Sequence, residues 1–222
     1  MNNLAKRTIY VSLSTIAVLG ALPMAGQAAE VIQTVNTSKA DVTLEAGDTT
    51  TPVDPILPSI PDGSTGNTGM LTLDNITPFQ FDKHKVTGGT ETYSITATGA
   101  NVQVSDRRGT GAGWELKVTA ATFKDKVDNT KVLKGAQIVI PKGEVQTTVG
   151  NTSEKPTTNL VTLDALDGEI SSVLFQAEKD QGMGTWVDQL NPSEVKIIIP
   201  GGNFVGEYSS TLTWVLGDTP KG

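Results

Sequence analysis

Along most of this chain, apolar residues alternate with polar ones instead of recurring at helical spacing. In Gly113–Thr119, Trp114, Leu116 and Val118 share one side, with Glu115 and Lys117 on the other. In the run from Tyr208 to Pro220, Leu212, Trp214 and Leu216 share a side, opposite Thr211, Thr213 and Val215. A period of two places such side chains on one face of a half-buried β-strand. Further strands are expected at Val42–Glu45, Met70–Leu73, Thr92–Ala97, Asn101–Val104, Ala136–Ile140, Ser172–Ala177, Gly184–Val187 and Val195–Ile199. Helical signal is thin: a turn within Leu160–Ile170, and a helical turn or the start of a strand at Asn191–Glu194. β-branched residues, with glycine and threonine between the runs, predict an all-β antiparallel sandwich of Greek-key, immunoglobulin-like type.

Two segments modify that picture. Residues 48–69 hold too many prolines and glycines for sheet or helix, and are expected to run extended over the surface as a loop or linker. Ile56, Leu57 and Ile60 would make the same segment a recognition loop if they stand exposed. Tyr208, ahead of the last apolar run, suggests a tyrosine corner, in which the hydroxyl ties down a connection, and with it a last strand packed centrally.

The first 28 residues have the plan of a secretory signal peptide. Lys6 and Arg7 precede a mostly apolar Val11–Leu22, and Gly26-Gln-Ala28 offers small residues for cleavage after Ala28. Residues 29–222 then suit a single domain. The full chain has net charge −7; without Lys6 and Arg7, 15 basic and 24 acidic residues leave −9. That balance disfavours nucleic acid and simple attraction to anionic polymers. With no cysteine there is no disulfide, thiolate nucleophile, Cys-based zinc site or lipid-bearing Cys. Since no second apolar stretch suits a membrane span and no sorting motif is recognisable, the exported chain is expected to be released or held non-covalently.

Candidate chemistry is sparse. His84 is the one histidine, so Ser-His-Asp and zinc-hydrolase mechanisms have little material. Asp164, Asp167 and Glu169 cluster in sequence but match no calcium loop, and a solvated turn explains them equally. No cofactor or metal is expected. In Asp106–Gly113, Arg107 and Arg108 could hold a carboxylate or a phosphate among accessible backbone amides, or the glycines simply shape a bulge or turn capped by Asp106. Trp114 and Trp214 could form an aromatic platform for a glycan or a partner, but each shares a face with leucines, which favours the core. Trp186, between Gly182, Gly184 and polar residues, is the candidate exposed aromatic.

Two Trp-x-Leu strands, Trp114-Glu-Leu116 and Trp214-Val-Leu216, with the lead-in Val104-Ser-Asp-Arg-Arg-Gly-Thr-Gly-Ala-Gly113 and the tail Gly217-Asp-Thr-Pro220, resemble the WxL domain of low-GC Gram-positive surface proteins. Pro52-Val-Asp-Pro55 and Gly69-Met-Leu-Thr-Leu-Asp74 are similar too, so the resemblance runs from about Ala40 to the end. It implies a secreted, non-enzymatic protein held on the cell wall by peptidoglycan. It also implies possible partners: WxL-interacting membrane-anchored proteins and other WxL proteins. The alternative is a subunit of a surface complex, or an adhesin binding those partners or host proteins.

Overall fold

The computed structural model describes residues 36–167 and 171–218. It divides into two units, Met1–Val42 and Thr43–Gly222. Of the first, residues 36–42 are described and carry no regular secondary structure; the expected signal peptide lies outside the described residues. All strands among the described residues belong to the second: β1 Leu71–Ile76, β2 Glu91–Ser94, β3 Asn101–Asp106, β4 Trp114–Ala120, β5 Lys124–Asp125, β6 Gln137–Ile140, β7 Glu144–Thr147, β8 Thr157–Thr158, β9 Val161–Asp164, β10 Ser172–Ala177, β11 Gly184–Gln189, β12 Lys196–Ile199, β13 Tyr208–Ser209 and β14 Leu212–Gly217.

The architecture is all-β and antiparallel, as the alternation predicts. Three four-stranded sheets run β1-β3-β11-β7, β14-β4-β10-β8 and β2-β12-β6-β9, and β13 and β5 form a two-stranded ribbon. Many neighbours are distant in sequence, so the sheets are stitched by crossovers. Their inner faces share one apolar cluster: Val102 and Val104 from β3, Trp114, Leu116 and Val118 from β4, Ile138 and Ile140 from β6, Ile197 from β12. In β10 a bulge between Val173 and Phe175 breaks the period, so the consecutive Leu174 and Phe175 are both buried.

β3 shows why alternation alone undercounts burial. Asn101, Gln103 and Ser105 face away from Val102 and Val104, yet all six residues of the strand are buried. The proline-rich segment roofs them. Gln103 accepts from the Ile56 amide at 2.7 Å and donates to Asp54 O at 3.1 Å. Asn101 donates to Leu57 O, and Ile60 pairs with Thr98 through two backbone bonds of 2.8 and 2.9 Å. Beneath the roof, Asp74 accepts from Thr72, Gln103 and Ser105 at 2.6–3.0 Å. These bonds satisfy groups that burial would otherwise penalise. The prolines keep the strap extended, and side-chain amides stand in for strand pairing. Ile56 and Leu57 are half-buried, leaving only Ile60 of the three exposed.

Four expectations are corrected. Val42–Glu45 forms no strand, because it has no neighbouring strand to complete its hydrogen bonds. Leu160–Ile170 is chiefly strand: Val161–Asp164 is β9, paired with β6, and a turn begins only at Asp167, with residues 168–170 outside the described residues. The run from Tyr208 breaks into β13 and β14, joined to different strands. β14 does not pack centrally but is an edge, hydrogen-bonded among the described residues only to β4.

Candidate functional site

The two tryptophans of the repeated motif differ. Trp114 opens the central strand β4 and is fully buried. Its indole Nε1 donates to Gly182 O at 3.0 Å, and its ring meets Phe175 edge-on, centroids 4.9 Å apart at 78°. Gly182 fits this seat because it has φ 70° and because a Cβ there would lie 2.8 Å from Trp114 Nε1. Leu116 is buried beside it. Trp214 and Leu216, on the edge strand, are only half-buried against the same core. Val118 lies opposite Trp214, and Leu216 lies opposite Leu116.

The arginine loop is a turn whose cations are already engaged. Gly109, Gly111 and Gly113 all have positive φ, from 64° to 75°. Arg107 reaches Thr51 O at 3.2 Å and Gly69 O at 2.6 Å, so it fastens the proline-rich strap. Arg108 grips Asp106 through Nε and Nη2 at 2.9 and 2.8 Å, donates to Gly113 O at 2.7 Å, and pairs with Asp218 just past β14. The hydrogen bond that Arg108 donates to Asp106 raises the Arg108 pKa above its ordinary value. Asp106 also accepts from the Arg108 amide, which makes it the cap of the turn.

Trp186 is not the exposed aromatic it was expected to be. It is 4% exposed, with Nε1 donating to Met183 O at 2.9 Å. The flanking glycines serve close packing: a Cβ on Gly184 would lie 2.8 Å from Asn151 Nδ2. Of the acidic trio, Asp164 accepts from Gln137 and Asp167 from Thr122 and Lys124; Glu169 lies outside the described residues.

A concavity lies elsewhere, in a groove of about 1240 Å³. Its floor is apolar, built from Ile138 of β6, Ile197 and Ile199 of β12, Leu133 and Phe123. One lip is the segment 79–89 with Tyr93, where the His84 and Tyr93 rings stack at 3.5 Å and 8°. The other lip is the loop 200–207. Here Phe204 is 67% and Val205 80% exposed. That loop is fastened at both ends. Asn203 donates to Lys134 O and Pro200 O and accepts from the Lys134 amide at 2.7 Å. Tyr208 donates from its hydroxyl to Phe204 O at 3.0 Å, the bond expected of a tyrosine corner. Behind the loop, the amides of Asp128 and Val127 hold the Asp125 carboxyl below the usual range. Lys83, Lys85, Glu91 and the paired Lys126 and Glu207 supply charge around the apolar floor.

Sequence reasoning missed this groove. Phe204 and Val205 sit in Pro200-Gly-Gly-Asn-Phe-Val-Gly206, where two adjacent apolar residues among turn formers were a signal for exposed apolar surface. His84 is exposed, but its stacking partner Tyr93 lies in β2 and could not be read from local sequence.

The Trp-x-Leu motif thus occurs twice in an antiparallel β-domain, once on a buried inner strand and once on an edge strand. The family comparison makes this specific. The model described as "WxL domain surface cell wall-binding" matches residues 31–220, and the chain belongs to that family. It is a surface, cell-wall-binding family and not an enzyme family, which places the protein at the cell surface, on the cell wall. No curated protein matches the chain closely enough to count as a relative.

Proposed function

We propose that the protein is retained on the wall non-covalently and without catalysis, by binding peptidoglycan along the groove between the 79–93 segment and the 200–207 loop. The observation that carries this reading is the exposure of Phe204 and Val205 on a loop pinned by Tyr208 and Asn203. Exposed apolar side chains are tolerated where a ligand covers them. A flat ring offers an apolar face to a sugar, and the ordered lip lowers the entropy cost of binding. Lys83 and Lys85 on the opposite lip suit the peptide carboxylates of the polymer, although the chain as a whole is acidic. Arg108 is engaged within the fold, Arg107 is held through its two terminal nitrogens while its buried Nε has no partner, and Trp186 is buried, so the proposed contact surface moves from them to the groove.

The test is co-sedimentation of the chain from residue 29 with purified sacculi. Phe204→Ser with Val205→Ser should weaken binding by about tenfold or more, roughly 1.4 kcal/mol, while leaving the melting temperature unchanged. Wild-type binding by that folded variant would remove the groove from the account.

A further inference from the structure

β14 is an edge strand of 6 residues, Leu-Thr-Trp-Val-Leu-Gly, with no charge and no proline. Ala121 N donates to Thr211 O at 2.9 Å, which sets the alternation of the ladder with β4. Residues 211, 213, 215 and 217 therefore exchange hydrogen bonds with β4, and the peptide groups of Leu212, Trp214 and Leu216 face outward. Among the described residues no strand meets them. Natural edges are blunted with charge, proline or a bulge because bare edges template another strand. This one carries none of those devices.

The same chain holds an unpaired segment that fits the edge. In Ala40-Asp-Val-Thr-Leu-Glu45, Val42 and Leu44 alternate with Asp41, Thr43 and Glu45. Val42 is 85% and Leu44 88% exposed, and residues 36–48 carry no strand. β14 has the matching two-sided pattern: half-buried Leu212, Trp214 and Leu216 on one face, exposed Thr211, Thr213 and Val215 on the other. A strand added here would extend the apolar face with Val42 and Leu44. It would also set Asp41, Thr43 and Glu45 beside the threonines, on the face that carries Lys117 of β4.

We infer that residues 40–45 of one copy add as a strand to the open β14 edge of a second copy, so that the protein self-associates by strand exchange through its second Trp-x-Leu motif. Backbone bonds to the outward groups of Leu212, Trp214 and Leu216 supply the affinity, and the alternating side chains fix the register. Each copy carries both donor and acceptor, so the contact is either reciprocal in a dimer or head-to-tail in a chain. The inference does not depend on the wall ligand.

The chain from residue 29 is examined by sedimentation from micromolar to near-millimolar concentration, without wall material. Wild type should form dimers or longer species. Val42→Asp with Leu44→Asp removes the donor without touching the core, and Val215→Lys puts a charge on the acceptor at a residue 54% exposed. Each should weaken association by about tenfold or more with the melting temperature unchanged. Because the chain has no cysteine, Thr43→Cys in one copy and Thr213→Cys in another should cross-link on mild oxidation without background. A wild type that stays monomeric throughout overturns the inference. So does association indifferent to the donor changes, or a cross-link that forms only when both cysteines lie in one chain.

Discussion

Trp114 shows how much one side chain organises. Its indole is buried, bonded to Gly182 O and set against Phe175. Trp114→Ala should cost roughly 3–5 kcal/mol in chemical denaturation. Gly182→Ala should cost roughly 2–4 kcal/mol, since it forces both a positive φ and an overfilled seat. Trp214→Ala, on the half-buried edge, should cost clearly less than Trp114→Ala in the same experiment. Loss of wall binding in a Trp114 variant would thus report lost folding and not lost contact. A second residue sets the response to pH. Asp188 on β11 is fully buried; Oδ2 accepts from Thr158 at 2.7 Å, and the Gly143 backbone lies so close to Oδ1 that a Cβ there would collide with it. Burial raises its pKa from 3.8 to about 7. Between those values the folded chain holds a proton that the unfolded chain has released. The stabilisation from this group is therefore full below pH 4, falls as pH rises, and is gone above pH 7, amounting to roughly 4 kcal/mol at most. Asp188→Asn should flatten that part of the melting-temperature profile between pH 4 and pH 7; an unchanged slope would remove Asp188 as its cause.

At the scale of elements, legibility followed hydrogen-bond partners. β4 was readable because Trp114, Leu116 and Val118 alternate against Glu115 and Lys117, and burial follows that pattern residue by residue. Val42–Glu45 alternates as cleanly and forms no strand, because a strand needs a neighbour and local pattern cannot supply one. β3 reads as half-buried yet is wholly covered, because the strap over it binds through Gln103 and Asn101 and not through apolar periodicity. Arg107 and Arg108 were visible as cations, but their partners at Thr51, Gly69 and Asp218 are distant in sequence. The tyrosine corner at Tyr208 was legible since its bond to Phe204 O is local. Tyr208→Phe tests its role as a fastener. It should lower stability by about 1 kcal/mol and speed amide exchange in residues 201–206 more than in β4. Equal exchange in the two regions would show that the loop is held by other means.

Among the described residues, the Thr43–Gly222 unit of this acidic chain combines one apolar core cluster with two features turned outward, the aromatic groove and the bare β14 edge. The proposed peptidoglycan contact uses the groove, while the proposed strand exchange uses the edge. The two are separable: Phe204 and Val205 changes should leave self-association intact, and Val215→Lys should leave wall binding of the single chain intact. The most direct measurement is an NMR titration of the isotopically labelled chain from residue 29 with soluble fragments of digested peptidoglycan. Saturable shifts concentrated at Tyr93, His84, Phe204 and Val205 are the predicted result. Shifts centred on the Arg107–Arg108 turn, or none at any fragment concentration while intact sacculi still bind, would contradict it.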